Sequence, residues 1–158
     1  MRMVKPAADT IAISAAAPED AAAIGVLLRE AELPHEDFAG HLAHFLVARR
    51  AGAVVGAVGF ELHGRDALLR SLVVAPALRG HGLGDRLVRR LAAVSRREGV
   101  TRFYLLTTTA EAFFARRGFK KIARPAVPAA IAATREFNSL CPVSAVCMTR
   151  AVAIAAKS

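Results

Sequence analysis

Apolar positions along this chain recur with two different periods, and the changes of period mark its elements. Asp9 to Ala15 alternates around Ile11 and Ile13, which predicts a first strand. Pro18-Glu19-Asp20 then opens a helix whose apolar stripe is Ile24, Leu27, Leu28 and Ala31. Proline suits a first helical position, and the two acids complement the helix dipole. Leu33-Pro34 stops it, and residues 34–43 carry only a weak helical signal at Phe38 and Leu42. Phe45 to Arg49 and Ala53 to Leu62 predict two strands joined around Gly52. A further strand, Leu68 to Val74, ends at Pro76. The next helix runs from Asp85 to Arg97, with Leu83, Leu87, Val88, Leu91 and Val94 on one face and Asp85, Arg89, Arg90, Arg96 and Arg97 on the other. Gly99 is its expected C-cap. Then come a strand at Arg102–Leu106, a short helix at Ala110–Arg117, a strand at Phe119–Ala123, a second short helix within Pro125–Phe137 and a last strand at Ser144–Val152. Strands and helices alternate, with a hairpin early and strands late. That order predicts an α+β fold around a mixed sheet rather than a doubly wound one. Neither repeat nor linker interrupts it, so residues 1–158 read as one domain with loose tails at about 1–8 and 153–158.

Composition narrows the class. Apolar residues make up 54% of the chain and charged ones 22%, which excludes a disordered chain. No stretch reaches the roughly 18 uncharged apolar residues of a membrane span, and the N-terminus lacks the apolar run of a signal peptide. The expectation is a cytoplasmic protein with no membrane partner. Cys141 and Cys147 have no nearby His to complete a zinc site. His35, His41 and His44 lie six and three residues apart, spacings that match no tight helical metal pair, so no metal is expected. A net charge of +9 calls for a polyanionic partner. The eight Phe sit in apolar-periodic positions and leave no stacking platform among the arginines, which argues for an anionic small molecule over nucleic acid.

The central stretch says where such an anion would sit. The strand Leu68–Val74 delivers Arg79-Gly80-His81-Gly82-Leu83-Gly84 onto a helix N-terminus. Free backbone N–H groups and the positive end of the dipole make that a site for a pyrophosphate. The dinucleotide fingerprint is not met, because the glycines run G-x-G-x-G off a strand that is not the first. A P-loop would need Gly-Lys-Ser/Thr, which is missing.

Arg79–Gly84 fits R-x-x-G-x-G, and Ala110 to Phe119, AEAFFARRGF, fits A-x-x-F-Y-x-x-x-G-F downstream. With this pair the chain resembles the GNAT N-acetyltransferases over about residues 9–150. LRSLVVAP, LLTTTAEAFFARRGF and VPAAIAATREFNSLCPVSAVCM are similar to the branch associated with arsenic-resistance operons. They are also similar to the acetyltransferase domain of N-acetylglutamate synthases. The resemblance implies a mostly antiparallel mixed sheet flanked by helices, acetyl-CoA as co-substrate and a small amino-acid-like acceptor bearing a carboxylate. It leaves room for a homodimer. It also leaves open glutamate as acceptor, or a CoA- or nucleic-acid-binding module without turnover.

Carried over residue by residue, the resemblance places the pantetheine arm along Leu72, Val73 and Val74. The pyrophosphate falls on Arg79, Gly80, His81, Gly82, Leu83 and Gly84, with Thr107, Phe113 and Phe114 beside the arm. The family's general-acid Tyr position is Phe114 here, and a phenyl ring donates no proton. Tyr104, Ser71 or Thr108, a water, or direct departure of the thiolate could serve instead. The strand positions that often carry a carboxylate are Leu68, Leu69, Arg70 and Ser71, none of them acidic. That leaves Glu61, on the neighbouring strand, as the expected base, directly or through water. Arg70 interrupts an apolar strand and must find a partner, either an internal acid or the acceptor's carboxylate. The expectation is the acceptor, with Ser71, Thr108, Arg135, Asn138 and Cys141 completing its pocket.

Overall fold

The computed structural model describes residues 10–153, so Asp9 and most of the two expected tails lie outside the described residues. Seven strands form one sheet, in the order β1-β2-β3-β4-β5-β7-β6. They are β1 (Ile11–Ala15), β2 (Phe45–Arg50), β3 (Ala53–His63), β4 (Asp66–Val74), β5 (Arg102–Thr107), β6 (Lys120–Lys121) and β7 (Val146–Ala151). Every neighbouring pair is antiparallel except β4 and β5. A parallel pair needs a crossover, and α2 (Leu83–Arg97) supplies it. The other helices are α1 (Ala21–Glu30), α3 (Glu111–Ala115) and α4 (Ala129–Ala132). The mixed α+β sheet is the one the sequence predicts.

The amphipathic reading of α2 is met. Leu83, Leu87, Val88 and Leu91 are buried against Val58, Phe60, Ala67 and Leu69 of the sheet. The α1 stripe of Ile24, Leu27 and Leu28 packs with Phe38, Phe45 and Val47. A third cluster joins Leu68 and Tyr104 to Val127, Ile131, Phe137 and Cys147.

Proline shapes the local structure at two places. The helix expected to open at Pro18 begins as a 3₁₀ turn, Pro18–Asp20, whose Asp20 accepts from the Ala17 N–H. The second short helix expected within Pro125–Phe137 is α4, flanked by a 3₁₀ turn at Arg124–Ala126 and a π turn at Glu136–Leu140. Pro125 and Pro128 prevent one continuous ladder. The weak signal at Phe38 and Leu42 resolves as a 3₁₀ helix, Phe38–His44.

Two irregularities interrupt the sheet on either edge of β4. Between Ala57/Gly59 of β3 and Val73/Arg70 of β4 the register shifts, because β4 holds one extra residue. Ser71 sits in that bulge at φ 61, a backbone conformation that non-glycine residues rarely adopt. On its other edge β4 pairs with β5 only from Asp66 to Leu68. Beyond Leu68 and Tyr104 the two strands part.

Candidate active site

The parting of β4 and β5 opens a cavity of about 960 Å³. One wall is residues 69–74 and the facing wall residues 105–110, with Phe114 beneath. Residues 29–36 cover one end, and Glu136, Cys141 and Ala145 reach in from the C-terminal segment. Along β4 the peptide edge beyond Leu68 has no partner strand among the described residues, so it offers backbone groups to an extended ligand.

At the end of β4 the cavity runs through Val74 and Arg79 into a second hollow of about 360 Å³, lined by the glycine turn, Phe113, Arg116 and Arg117. Among the described residues no protein acceptor meets the backbone N–H groups of residues 80–85. Six unpaired donors at the head of a helix of fifteen residues form an anion cradle. Gly80 and Gly82 both have φ 83 and open space where a Cβ would stand. Gly84 differs: a Cβ there would meet the Phe113 ring at 3.2 Å. The missing Cβ lets α2 pack closely on α3, while Gly84 still lines the hollow. The Phe113 ring is also capped by the Arg117 guanidinium, 3.6 Å from the centroid, and Arg117 bonds Asp85. Arg116 is exposed at the hollow and makes no ion pair among the described residues, a cation the sequence reasoning missed. His81 is exposed and does not line the hollow.

At the other end lies a buried ionic cluster. The Arg70 side chain is fully buried. Its Nη1 donates to Glu61 Oε2 at 2.6 Å and to Asp37 Oδ2 at 2.9 Å, its Nη2 to Asp37 Oδ1 at 2.6 Å, and its Nε to the Ser71 hydroxyl at 3.0 Å. Burial works against the charge of Arg70, but the surrounding acids outweigh it and hold the guanidinium ionised. Burial likewise opposes ionisation of Asp37, yet the Arg70 hydrogen bonds bring its carboxyl below the ordinary range. Glu136 Oε1 is 3.9 Å from Arg70 Nη2, beyond hydrogen-bonding distance. Burial raises the Glu136 carboxyl to about 7, with Arg70 opposing and Glu61 and Asp37 adding to the rise. Asp37, His41 and Glu61 bring ligand atoms within 4.8 Å of one another. Both carboxylates are already bonded to Arg70, whose charge repels a cation.

The sequence model described as Acetyltransferase (GNAT) domain matches residues 41–121, just over half of the chain. An N-acetyltransferase of Chlorobaculum tepidum is 33% identical over 134 residues, 78% of this chain and 83% of that protein. The chain belongs to the GNAT acetyltransferase family. An amino-acid acetyltransferase of Mycobacterium tuberculosis is 36% identical over 91 residues, 57% of this chain but 49% of that protein. Among solved structures, N-acetylglutamate synthase from Neisseria gonorrhoeae, complexed with coenzyme A and N-acetyl-glutamate, has the same fold (TM-score 0.80, 21% identity, 95% of this chain and 36% of that one). A Mycobacterium tuberculosis protein in complex with CoA matches at TM-score 0.74 and 26% identity over 89% of this chain and 98% of that one. This GNAT chain spans only about a fifth to a half of the amino-acid acetyltransferases it matches, and about a third of the Neisseria gonorrhoeae synthase. No helix among the described residues is long and apolar enough to cross a membrane.

In this GNAT enzyme the expected arm residues Leu72, Val73 and Val74, with Thr107 and Phe114, line the β4/β5 cavity together. Thr107 Oγ1 accepts from the Ala110 N–H at 2.9 Å, which leaves its own proton free to donate. Ser71, Thr108 and Cys141 line the same cavity. Burial pushes the Cys141 thiol up to about 12, with Glu136 adding to the rise, so it is a poor nucleophile.

Four expectations are corrected. Arg70 does not offer its fork to an acceptor, because Asp37, Glu61 and Ser71 already take it. Glu61 does not line the cavity: it stands behind Arg70, with His41 and His63 each 3.5 Å from its Oε1. Tyr104 packs into the cluster of Ile131 and Phe137, away from the cavity wall. Arg135 and Asn138 are exposed and do not line it either. The sequence reasoning missed Asp37 and Glu136. A buried Arg in a strand required acids to pair with it, but nothing in the spacing said that they come from 33 residues before and 66 after.

Proposed function

We propose that this enzyme transfers the acetyl group of acetyl-CoA to the amine of a small amino-acid-like acceptor. The observation that carries the proposal is the continuous groove from the unpaired edge of β4 to the unpaired N–H groups of residues 80–85. An extended amide-bearing arm ending in a pyrophosphate matches that sequence of donors and acceptors. The CoA held by solved relatives supports acetyl-CoA as the donor. The acceptor class is supported by the relatives named amino-acid acetyltransferases. Glutamate, whose N-acetyl form occupies the Neisseria gonorrhoeae synthase, is the second reading. A role in resistance to arsenic or to amino-acid analogues rests on the sequence resemblance.

The reaction is attack of a neutral amine on the thioester carbonyl. In this reading a backbone N–H at the Ser71 bulge meets the developing oxyanion, and one such donor contributes about 2.7–4 kcal/mol. Phe114 supplies no proton, and the sulfur leaves as thiolate. A thiol of pKa about 8.5 makes that step cost roughly 2 kcal/mol at neutral pH. With Arg70 occupied, Arg29 is the cation offered to an acceptor carboxylate. It lines the mouth of the cavity and has no ion pair among the described residues.

Incubation with acetyl-CoA, a panel of amino acids and a thiol reagent tests the proposal. The expected result is CoA release that depends on one class of amino acid, with an N-acetyl product of matching mass. Tight CoA binding with no amine-dependent release across the panel contradicts it.

A further inference from the structure

The Glu136 carboxyl is the one acid of the Arg70 cluster that lines the donor cavity. It comes from the π turn Glu136–Leu140, whose 3₁₀ and α neighbours carry it over the sheet. Its side chain is 94% buried. Even so, no hydrogen bond reaches its carboxylate among the described residues, and its nearest cation is the 3.9 Å Arg70 contact. A carboxyl this deeply buried ordinarily has a donor. Asp37 and Glu61 in the same cluster do, through Arg70. The missing partner of Glu136 is therefore on the cavity side, where the cavity wall also holds the Ser71 bulge.

We infer that Glu136 is the group that receives the acceptor's ammonium and takes its proton before acyl transfer. This rests on the acetyltransferase reading. The acceptor enters as R–NH₃⁺ and pairs with the Glu136 carboxylate. One proton passes from nitrogen to a carboxylate oxygen and then to solvent. The amine lone pair forms the N–C bond at the thioester carbonyl, and the C–S bond breaks as the electrons of the oxyanion return. The second nitrogen proton leaves through water and reaches the CoA thiolate.

The setting suits that task. Arg70 from β4 holds Glu136 partly ionised, whereas Asp37 beside His41, and Glu61 beside His63, oppose its charge. Cys141 is also in its field. The balance leaves a carboxyl raised to about 7, matched to a proton transfer near neutral pH. Arg70 is then a positioning residue: it bonds Asp37 and Glu61 and stops short of bonding Glu136.

The test compares wild type, Glu136→Gln and Glu136→Asp with the accepted amino acid and with an arylamine that is neutral at pH 7. For Glu136→Gln the expected fall in kcat/KM at pH 7 is about 100-fold or more for the amino acid. The fall is much smaller for the arylamine, which has no proton to surrender first. Acetyl-CoA affinity should be unchanged, and Glu136→Asp should restore part of the rate. In wild type, log kcat/KM should bend at a pH that stays the same for acceptors of different amine pKa. A Gln variant within threefold of wild type overturns the assignment, and so does a bend that follows the acceptor's own pKa. The second measurement needs no variant and holds if Glu136→Gln does not fold. Wild type that acetylates no amine at all instead overturns the acetyltransferase reading.

Discussion

Asp37 receives both arms of the Arg70 fork, at 2.6 and 2.9 Å, in a site where the guanidinium is shut off from water. This pair ties the loop before the Phe38–His44 turn to the bulged part of β4. Removing one partner of a buried pair typically costs 3–5 kcal/mol, because the other charge is left stranded. Arg70→Ala strands more than one acid, so a loss of about 4 kcal/mol or more is expected in denaturant unfolding. Arg70→Ala with near-wild-type stability and a raised KM for acceptor would restore the acceptor-carboxylate role instead.

Glu136 makes stability depend on pH with a known sign. Its carboxyl lies at about 7 when folded, because burial penalises the charge, against an ordinary 4.5. Between those values the folded chain binds more protons than the unfolded one, so this group's contribution falls as pH rises. It costs nothing below about pH 4.5 and reaches its full cost, about 3 kcal/mol, above pH 7. Glu136→Gln should therefore unfold at higher urea than wild type at pH 8 and at nearly the same urea at pH 4.5. An equal difference at both values would count against a raised Glu136.

Gly82 has φ 83 and nothing within 4 Å of an added Cβ. A side chain there is strained and also projects into the space over the anion cradle. Gly82→Asp adds a carboxylate against phosphate, and acetyl-CoA affinity by calorimetry should drop about 100-fold or more, on the scale of tenfold per 1.4 kcal/mol. Unchanged affinity would remove the turn from the donor site.

The fold was legible in the sequence because periodicity reports burial. The α2 face of Leu83, Leu87, Val88 and Leu91 is buried as its spacing requires. The glycine turn proposed to hold the donor was legible as well, since it is a contiguous stretch whose backbone N–H groups are left without protein acceptors among the described residues. The acceptor half was not. Arg70 announced itself as a buried charge, but its partners Asp37 and Glu136 come from irregular turns with no periodic signature. Glu61 was the nearest acid in sequence and proved to be a partner of Arg70 facing away from the cavity. Tyr104 failed for a similar reason: a hydroxyl on the right strand lay on the wrong face.

Phe114 is buried and borders the cavity floor, edge-on to both Phe113 and Phe119. If CoA leaves as thiolate, a hydroxyl added there has little to do. Phe114→Tyr is expected to change kcat by less than about threefold, because a thiol of pKa near 8.5 leaves readily without an acid. A tenfold rise in kcat would show that protonation of the sulfur limits the native enzyme.

The structure of the enzyme with bound CoA tests the central claim most directly. The pyrophosphate should lie within hydrogen-bonding distance of the N–H groups of residues 80–85. The pantetheine arm should run along β4 at Leu72–Val74, with its sulfur between Ser71 and Phe114. CoA seated outside the gap between β4 and β5, or no occupancy at saturating concentration, would contradict it.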